Sequence, residues 1–422
     1  MSRRVAVIGS GMGGLAAAHF CRRAGLQVTV FEALPGHGMD AHALRVHEGL
    51  VDVPLRVMSP DSWASVLALA AEVGVGTFGV DTYVSCSSAD GRTWFRSGRM
   101  PFTGWPFVGA ARYLNLRSLT LARELRRLSR ATARLAAGDH AEDTLACFLE
   151  REGFDPLFWR GLALPLLVTI CTCDETELLH WPALQLLERL QDILHGPRLV
   201  RLQGGTSALV QGLARDLDCL SGSPVVTLTE AADGRLEVRN ARGEGGPFDR
   251  VIVATQANQL GFLADTPYAG ERERLAGIPY ATGELVVHTD PRLLPARRAD
   301  WTALNLHADA SAEQPTWTVW VNAVEPTLAD QPPVFQSWNP PIPPADDQVI
   351  ERLTLQRAVV STATAGLLET VERWHAEPDR RLFYCGSWAC EGVPLLETAV
   401  RSARLVVDRL SASGADRIRR GP

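Results

Sequence analysis

The apolar and polar positions near the N-terminus predict a strand, a helix and a second strand in close succession. Residues 5–8 and 28–31 are short apolar runs with the length of buried strands. Between them, residues 15–24 have helical spacing, and Gly25 follows as a helix stop. Glu32 ends the second strand. This order predicts the opening of a parallel sheet.

The turn between the first strand and the helix reads G-x-G-x-x-G, with Gly9, Gly11 and Gly14. In this context Gly9 allows a tight turn, Gly11 lets the backbone approach a pyrophosphate, and Gly14 allows close packing of helix on strand. Glu32 stands where a carboxylate accepts ribose hydroxyls, which disfavours NADP. The pattern predicts dinucleotide binding, because an ordinary Gly-rich turn does not account for Glu32.

Further along the chain, helical and β-like blocks alternate. Helical patterns cover residues 63–73, 113–135, 143–194, 208–217 and 394–410. Strand patterns cover residues 43–47, 50–53, 224–228, 235–238, 248–255, 285–288, 317–321 and 382–385, with a hairpin turn at 233–234. We therefore expect an α/β protein in which a discontinuous nucleotide-binding domain comprises residues 1–75, 198–270 and 377–422. A second, α+β domain for the substrate would comprise a helical part, 76–197, and a β part, 271–376.

Composition narrows the chemistry. A net charge of −6 gives no case for a nucleic-acid partner, and all 42 Lys+Arg residues are arginine, which excludes a catalytic lysine or a Schiff base. The eight cysteines lack paired C-x₂-C spacing, so we expect no metal site, and we interpret Cys171 and Cys173 as core residues. The longest apolar run, 162–173, is too short to cross a bilayer. We expect a cytoplasmic protein; the oligomeric state stays open.

One predicted helix carries an arginine stripe, Arg123, Arg127, Arg130 and Arg134. The stripe has two interpretations: a peripheral contact with an anionic lipid surface, or a solvated face opposite a leucine core face. We favour the second.

Several motifs beyond the first turn resemble the flavin amine oxidase and phytoene desaturase superfamily. They are Gly204-Gly205 before a helix, Pro224-Val225 at the hairpin, the strand 249–255, the segment 383–388 and the segment 397–402. Within it the chain is similar to a bacterial branch of predicted FAD-binding proteins associated with fatty-acid modification.

The resemblance implies a Rossmann-like, glutathione-reductase-like FAD domain and an extended, non-covalently bound FAD. Val225 would meet the adenine through its backbone, and the start of the last helix would direct N–H groups at the flavin pyrimidine ring. The implied cofactor residues are Gly9, Gly11, Met12, Gly14, Glu32, Ala33, Gly38, Met39, Arg56, Val57, Val225, Thr255, Gly386, Ser387, Val393, Pro394 and Leu395.

The chain departs from the family pattern at two places near the expected flavin. Gly38 is followed by Met39 and Asp40 instead of a second glycine, and Asp52-Val53-Pro54 replaces Asp-x-Gly. Pro54 removes an N–H donor and fixes φ. We expect a rebuilt pocket beside the flavin, so the substrate class does not carry over from relatives.

We expect an FAD-dependent oxidoreductase, a desaturase or an oxidase, that takes hydride from an apolar or lipid-like small molecule to flavin N5. A redox-neutral double-bond isomerase and a non-catalytic flavoprotein partner stay open. Lysine-dependent amine oxidation is disfavoured. His307 and Arg56 are the catalytic candidates, although each also fits a structural role. The predicted substrate-cavity residues are Trp105, Trp181, Asn305, Trp320 and Trp338.

Overall fold

The computed structural model describes residues 3–88, 90–100, 107–308 and 316–419, without the side chains of residues 40, 41, 362, 363 and 412–419. In this part of the chain the strands are β1 Arg4–Ile8, β2 Gln27–Phe31, β3 Ala43–Val46, β4 Gly49–Asp52, β5 Thr77–Gly79, β6 Val84–Ser87, β7 Thr93–Arg96, β8 Val200–Leu202, β9 Asp218–Leu220, β10 Val225–Glu230, β11 Leu236–Asn240, β12 Gly245–Phe248, β13 Arg250–Val253, β14 Tyr280–His288, β15 Leu304–His307, β16 Thr316–Trp320, β17 Phe335–Trp338, β18 Val349–Ala358 and β19 Leu382–Tyr384.

The α-helices of the same part of the chain are α1 Met12–Arg23, α2 Ala64–Glu72, α3 Leu116–Ala136, α4 Leu145–Glu152, α5 Pro156–Phe158, α6 Leu164–Cys171, α7 Glu175–Leu178, α8 Ala183–His195, α9 Gly205–Ala214, α10 Ala269–Leu275, α11 Thr362–His375 and α12 Leu396–Arg419. A π-helical stretch, Trp159–Ala163, joins α5 to α6. Among the described residues, no helix combines the length and the apolar character that crossing a bilayer requires.

A five-stranded parallel sheet unites the two ends of the chain. Its order is β19-β13-β1-β2-β9, and Val7 lies opposite both Ile252 and Val30. Parallel strands are buried on both faces, which is why β1 and β13 are almost continuously apolar. Helix α1 packs against α12 on one face of this sheet.

The antiparallel sheet β10-β11-β12 follows β9. Gly234, with φ +75°, lies in the predicted hairpin turn. The predicted single strand 248–255 is wrong in one respect, because the chain leaves β12 at Phe248 and enters β13 at Arg250. The residue between them, Asp249, accepts a hydrogen bond from the Arg4 backbone N–H at 2.8 Å.

A second large sheet is mixed and has seven strands in the order β18-β14-β17-β16-β15-β6-β7. One face packs with helices α3 to α8 into the largest apolar cluster of the described residues. The predicted fold class, a Rossmann-like α/β domain with a second α+β domain, is confirmed. The domain boundaries themselves stay a prediction.

Helix α3 carries the arginine stripe on a solvent-facing side. Arg123 and Arg127 pair with buried Glu124, and Arg134 pairs with Glu152 at 2.8 Å. Leucines of the opposite face are fully buried. Three of the four arginines thus form ion pairs within the chain, with two of them sharing one carboxylate, which supports the solvated-face interpretation.

Candidate cofactor and substrate site

The glycine-rich turn is shaped by close backbone contacts. Gly9 has φ +99°, where a side chain is strained, and its N–H donates to Phe31 O at 2.7 Å. A Cβ on Gly14 would lie only 1.9 Å from Gly9 O, whereas a Cβ on Gly11 would meet nothing within 4 Å. Gly14 therefore serves helix-to-strand packing, and Gly11 borders open space at the start of α1.

The Glu32 carboxylate is held at the end of β2 by backbone and hydroxyl donors. It accepts from the Ser10 N–H at 2.8 Å, from Ser10 Oγ at 2.7 Å and from the Leu34 N–H at 2.9 Å. Gly38 N–H in turn donates to Ser10 Oγ at 2.7 Å. The Glu32 carbonyl accepts from the Ser223 N–H at 3.1 Å, which brings the approach to β10 beside Ala33 and Glu32. These contacts fix the carboxylate next to the glycine-rich turn.

The C-terminal segment meets the same turn from the other side. A Cβ on Gly13 would lie 3.2 Å from Gly386 Cα, so a side chain at residue 13 would crowd this approach of two backbones. Ser402 Oγ donates to Gly386 O and accepts from Gly386 N–H, both at 2.9 Å. The first and last parts of the chain are thereby joined directly.

The start of α12 lies beside this junction, and one of its backbone donors is already engaged. The Leu395 N–H donates to Thr398 Oγ1 at 2.9 Å, and Pro394 has no N–H. Glu397 accepts from the backbone N–H groups of Ser65 and Val66 and so caps α2. The expected role of residues 393–395 toward a flavin stays a prediction.

A cavity of about 440 Å³ extends from this junction to the seven-stranded sheet. Ten of the predicted cofactor residues line it: Gly11, Met12, Met39, Arg56, Val57, Thr255, Gly386, Ser387, Pro394 and Leu395. The other seven do not line it: Gly9, Gly14, Glu32, Ala33, Gly38, Val225 and Val393. Its volume is typical of a small-molecule site.

The cavity wall offers unmet hydrogen-bonding capacity. Gln256 Oε1 on this wall, and Ser223 Oγ near Glu32, are buried without a partner in the described part of the chain. Buried polar atoms normally have partners. Together with the open space at Gly11, these atoms fit a polar, elongated ligand lying along the glycine-rich turn.

A side chain of the second domain forms hydrogen bonds with the backbone around Pro54, where the chain departs from the family pattern. Gln336 is fully buried in β17; its Nε2 donates to Asp52 O at 2.7 Å and its Oε1 accepts from the Leu55 N–H at 2.8 Å. One side chain thus satisfies the backbone on both sides of Pro54. This segment of the cavity wall is therefore fixed from the second domain.

Basic groups on the cavity wall are poorly solvated. Burial lowers the pKa of Arg56, an effect that the charge of Asp52 partly offsets and that of Arg357 increases. Burial and the charge of Arg56 lower the pKa of His42 to about 4. His42 is therefore neutral near pH 7, whereas an arginine stays charged.

The far part of the cavity is mainly apolar. Its side chains come from α6, the loop before β8, β16 and β18 and include Leu166, Ile170, Leu199, Trp317, Val319 and Leu355. Trp317 of β16 lines this part, and its Nε1 has no partner among the described residues; Tyr280 of β14 lines the cavity as well.

The described residues of the predicted substrate cavity lie elsewhere. Trp181 is in the helical core, and Asn305 is fully buried in hydrogen bonds with Ser85 and Thr302. Trp338 stacks on the outer side of Trp317 at 6.5 Å, and Trp320 packs edge-on against another tryptophan. Trp105 lies outside the described residues. Alternation alone did not distinguish core tryptophans from one that lines a cavity.

The catalytic candidate His307 is also outside the cavity. Its ring Nε2 contacts Leu293 O, and burial lowers its pKa. Arg357, by contrast, lines the cavity and had no place in the sequence-based prediction. The alternation of Leu353, Leu355 and Arg357 was the available signal, since it marks one face of a strand.

Residues 12–298 match the family model for flavin containing amine oxidoreductase. The chain belongs to this family. Because the match spans more than half of the chain, it identifies an FAD-dependent oxidoreductase that binds its flavin non-covalently. The expected cofactor and enzyme class are thereby confirmed. No curated protein matches the chain.

Solved structures share the fold at low identity. A putrescine oxidase bound to putrescine has a TM-score of 0.66 at 15% identity, over 98% of this chain and 99% of that one. The CLA-producing fatty acid isomerase from P. acnes has a TM-score of 0.69 at 15% identity, over 96% and 98%. Cyclohexylamine oxidase from Brevibacterium oxydans IH-35A has a TM-score of 0.67 at 14% identity, over 97% and 100%.

Proposed function

We propose that this FAD-dependent oxidoreductase removes hydride from a C–H bond of an apolar or lipid-like small molecule, as a desaturase or an oxidase. The observation that carries the proposal is the cavity, which runs from the glycine-rich turn to a mainly apolar wall. An apolar wall favours a substrate that gains from leaving water.

FAD supplies the hydride acceptor when it is bound. Gly11 and Gly13 would admit its phosphates at the start of α1, Glu32 its ribose, and Gly386 and Ser387 the segment beyond. The apolar side chains of the far wall would orient the substrate and exclude water. No lysine exists to position a water, so amine oxidation of the lysine-dependent kind is not proposed.

A second candidate is a redox-neutral isomerase, in which hydride leaves one carbon and returns to another. The similarity to a fatty acid isomerase, together with the absence of lysine, supports this second candidate. The two candidates share the substrate class and differ in whether the flavin ends reduced.

The test is an anaerobic screen of the purified holoenzyme with unsaturated fatty acids, fatty alcohols, polyenes and amines of similar size. A desaturase or oxidase substrate bleaches the flavin stoichiometrically, and the product lacks two hydrogens by mass spectrometry. An isomerase substrate shifts its double bond, at constant mass, without net bleaching. If amines alone reduce the flavin, the proposed substrate class is wrong.

A further inference from the structure

Two arginines line the cavity without a carboxylate partner. Arg56 follows Pro54 in the loop after β4, and Arg357 lies near the end of β18. Among the described residues neither forms an ion pair. Arg56 has only a 3.4 Å contact from Nη1 to Thr206 Oγ1, and Arg357 Nη1 donates to Ile170 O at 3.0 Å.

The nearby acid is already engaged elsewhere. Asp52 accepts from the Thr206 N–H at 2.8 Å and from Arg201 Nη2 at 3.4 Å. The groups that face Arg357 include the thiols of Cys171 and Cys173; burial raises the pKa of Cys171 to about 12 and raises that of Cys173 as well. Both thiols are therefore neutral near pH 7 and give Arg357 no counter-charge.

Arg357 occupies a position that strand alternation assigns to the apolar face. It shares one side of β18 with Leu353 and Leu355, which pack against the main apolar cluster. Burial lowers the pKa of Arg357, so the charge is held there at a cost. Arg357 is half-buried, and charges withdrawn from water in proteins are normally paired, whereas this one has no ion-pair partner among the described residues.

Other charges on the cavity wall cancel each other. Arg189 and Asp192 both line it and pair at 3.1 Å. The wall thus carries two arginines, Arg56 and Arg357, that have no ion-pair contact among the described residues, although the charge of Asp52 acts on Arg56. Arg357 contacts the carbonyl of Ile170 in α6, the helix whose Leu166 and Ile170 line the apolar part of the cavity.

We propose that the substrate carries a free carboxylate, held by Arg357 with Arg56, and that its chain lies against Leu166, Ile170, Val319 and Leu355. The substrate class would be an unesterified long-chain fatty acid. This inference rests on the proposed function, because it names the substrate of the same cavity. Guanidinium groups suit a carboxylate because they donate two parallel hydrogen bonds to it.

The test is calorimetric binding to the oxidised holoenzyme, with oleate, methyl oleate and oleyl alcohol as probes below their aggregation limits. We expect oleate to bind at least about tenfold more tightly than the two neutral probes. R357Q should weaken oleate binding by about tenfold to a hundredfold and leave oleyl alcohol within about twofold.

R189Q is the matched control, because Arg189 lines the same cavity but is already paired with Asp192. It should leave the preference for oleate over its ester unchanged. A far-UV circular dichroism spectrum of every variant identifies a misfolded protein, and the flavin content is recorded separately. R56Q then repeats the test at the second arginine.

Three results would overturn the inference: equal affinity for acid and ester, oleate binding that R357Q does not weaken, or loss of FAD from R357Q, which would make Arg357 a cofactor residue. The calorimetric experiment measures binding, and its readout does not depend on turnover. Arginine-dependent oleate binding without flavin reduction or double-bond shift would therefore contradict the proposed function and leave the carboxylate site standing.

Discussion

At the scale of single residues, three glycines of one motif have different physical tasks. Gly9 needs a positive φ, Gly14 needs the absence of a Cβ for packing, and Gly11 borders the cavity with φ −63°, which any residue can adopt. The G-x-G-x-x-G motif by itself does not distinguish the tasks of the three glycines. The contacts that a Cβ would make at each position show which glycines the fold requires and which one borders the cavity.

This difference predicts that G14A lowers the stability of the protein much more than G11A does. G14A should lower the unfolding free energy of the apoprotein by about 3 kcal/mol, because its methyl overlaps Gly9 O and moves α1 off β1. G11A should change it by less than about 1 kcal/mol. Urea denaturation of the FAD-free variants measures both.

G11A should instead weaken FAD binding by about tenfold or more, since its methyl enters the space where a pyrophosphate would lie. Flavin fluorescence titration of the refolded apoprotein measures this. Wild-type FAD affinity in G11A would remove Gly11 from the phosphate site.

At the scale of elements, a buried ionic cluster joins three parts of the chain. Arg201 of β8 is 1% exposed and donates to Asp52 of β4 at 3.4 Å and to Glu325 before β17 at 2.8 Å. Asp52 also accepts from the Thr206 N–H in the first turn of α9, where an anion is favoured by the helix dipole. Gly205, the second glycine of the Gly-Gly pair and the first residue of α9, also adjoins Asp52, since a Cβ there would lie 3.0 Å from Asp52 Oδ1.

Removing Arg201 should be strongly destabilising. R201M leaves Asp52 and Glu325 buried without a cation, and we expect a loss of about 3–5 kcal/mol in unfolding free energy. The control is R134M, which breaks the exposed pair with Glu152 and should cost less than about 1 kcal/mol. Equal, small losses in both variants would contradict this account of the cluster.

At the scale of the whole molecule, the predicted cofactor groove is formed by both ends of the chain. The residues Gly13 and Gly386 are in backbone contact, and α1 packs on α12. A ligand along this junction stabilises residues that are far apart in sequence at the same time, because binding to the folded state alone shifts the unfolding equilibrium.

FAD removal should therefore lower the hydrogen-exchange protection of the N-terminal and C-terminal segments together. Hydrogen exchange of apoprotein and holoprotein should show added protection on FAD binding in residues 9–14 and in residues 386–396, with little change in α10, Ala269–Leu275, as the internal reference. Protection confined to the N-terminal segment would show that the C-terminal segment does not contribute to the cofactor site.

Several parts of this molecule followed from sequence alone because their causes are local. A strand–turn–helix unit with three glycines and an acidic strand end specifies its own geometry, and hairpin and helix patterns were found near their observed positions. No pattern was assigned between residues 345 and 376, so β18 and α11 were not predicted. Strand β18 forms through long-range pairing with β14.

The sequence by itself determined the fold class, the glycine-rich turn after β1 and the flavin family, because these depend on short-range periodicity and on residue types at fixed spacing. Tertiary structure decided the composition of the cavity wall. It buried Trp181, Asn305 and Trp338 as packing residues, and it brought Arg56 and Arg357 into one apolar space. Burial and charge pairing depend on which distant segments meet, and that property is not encoded in any single stretch of the chain.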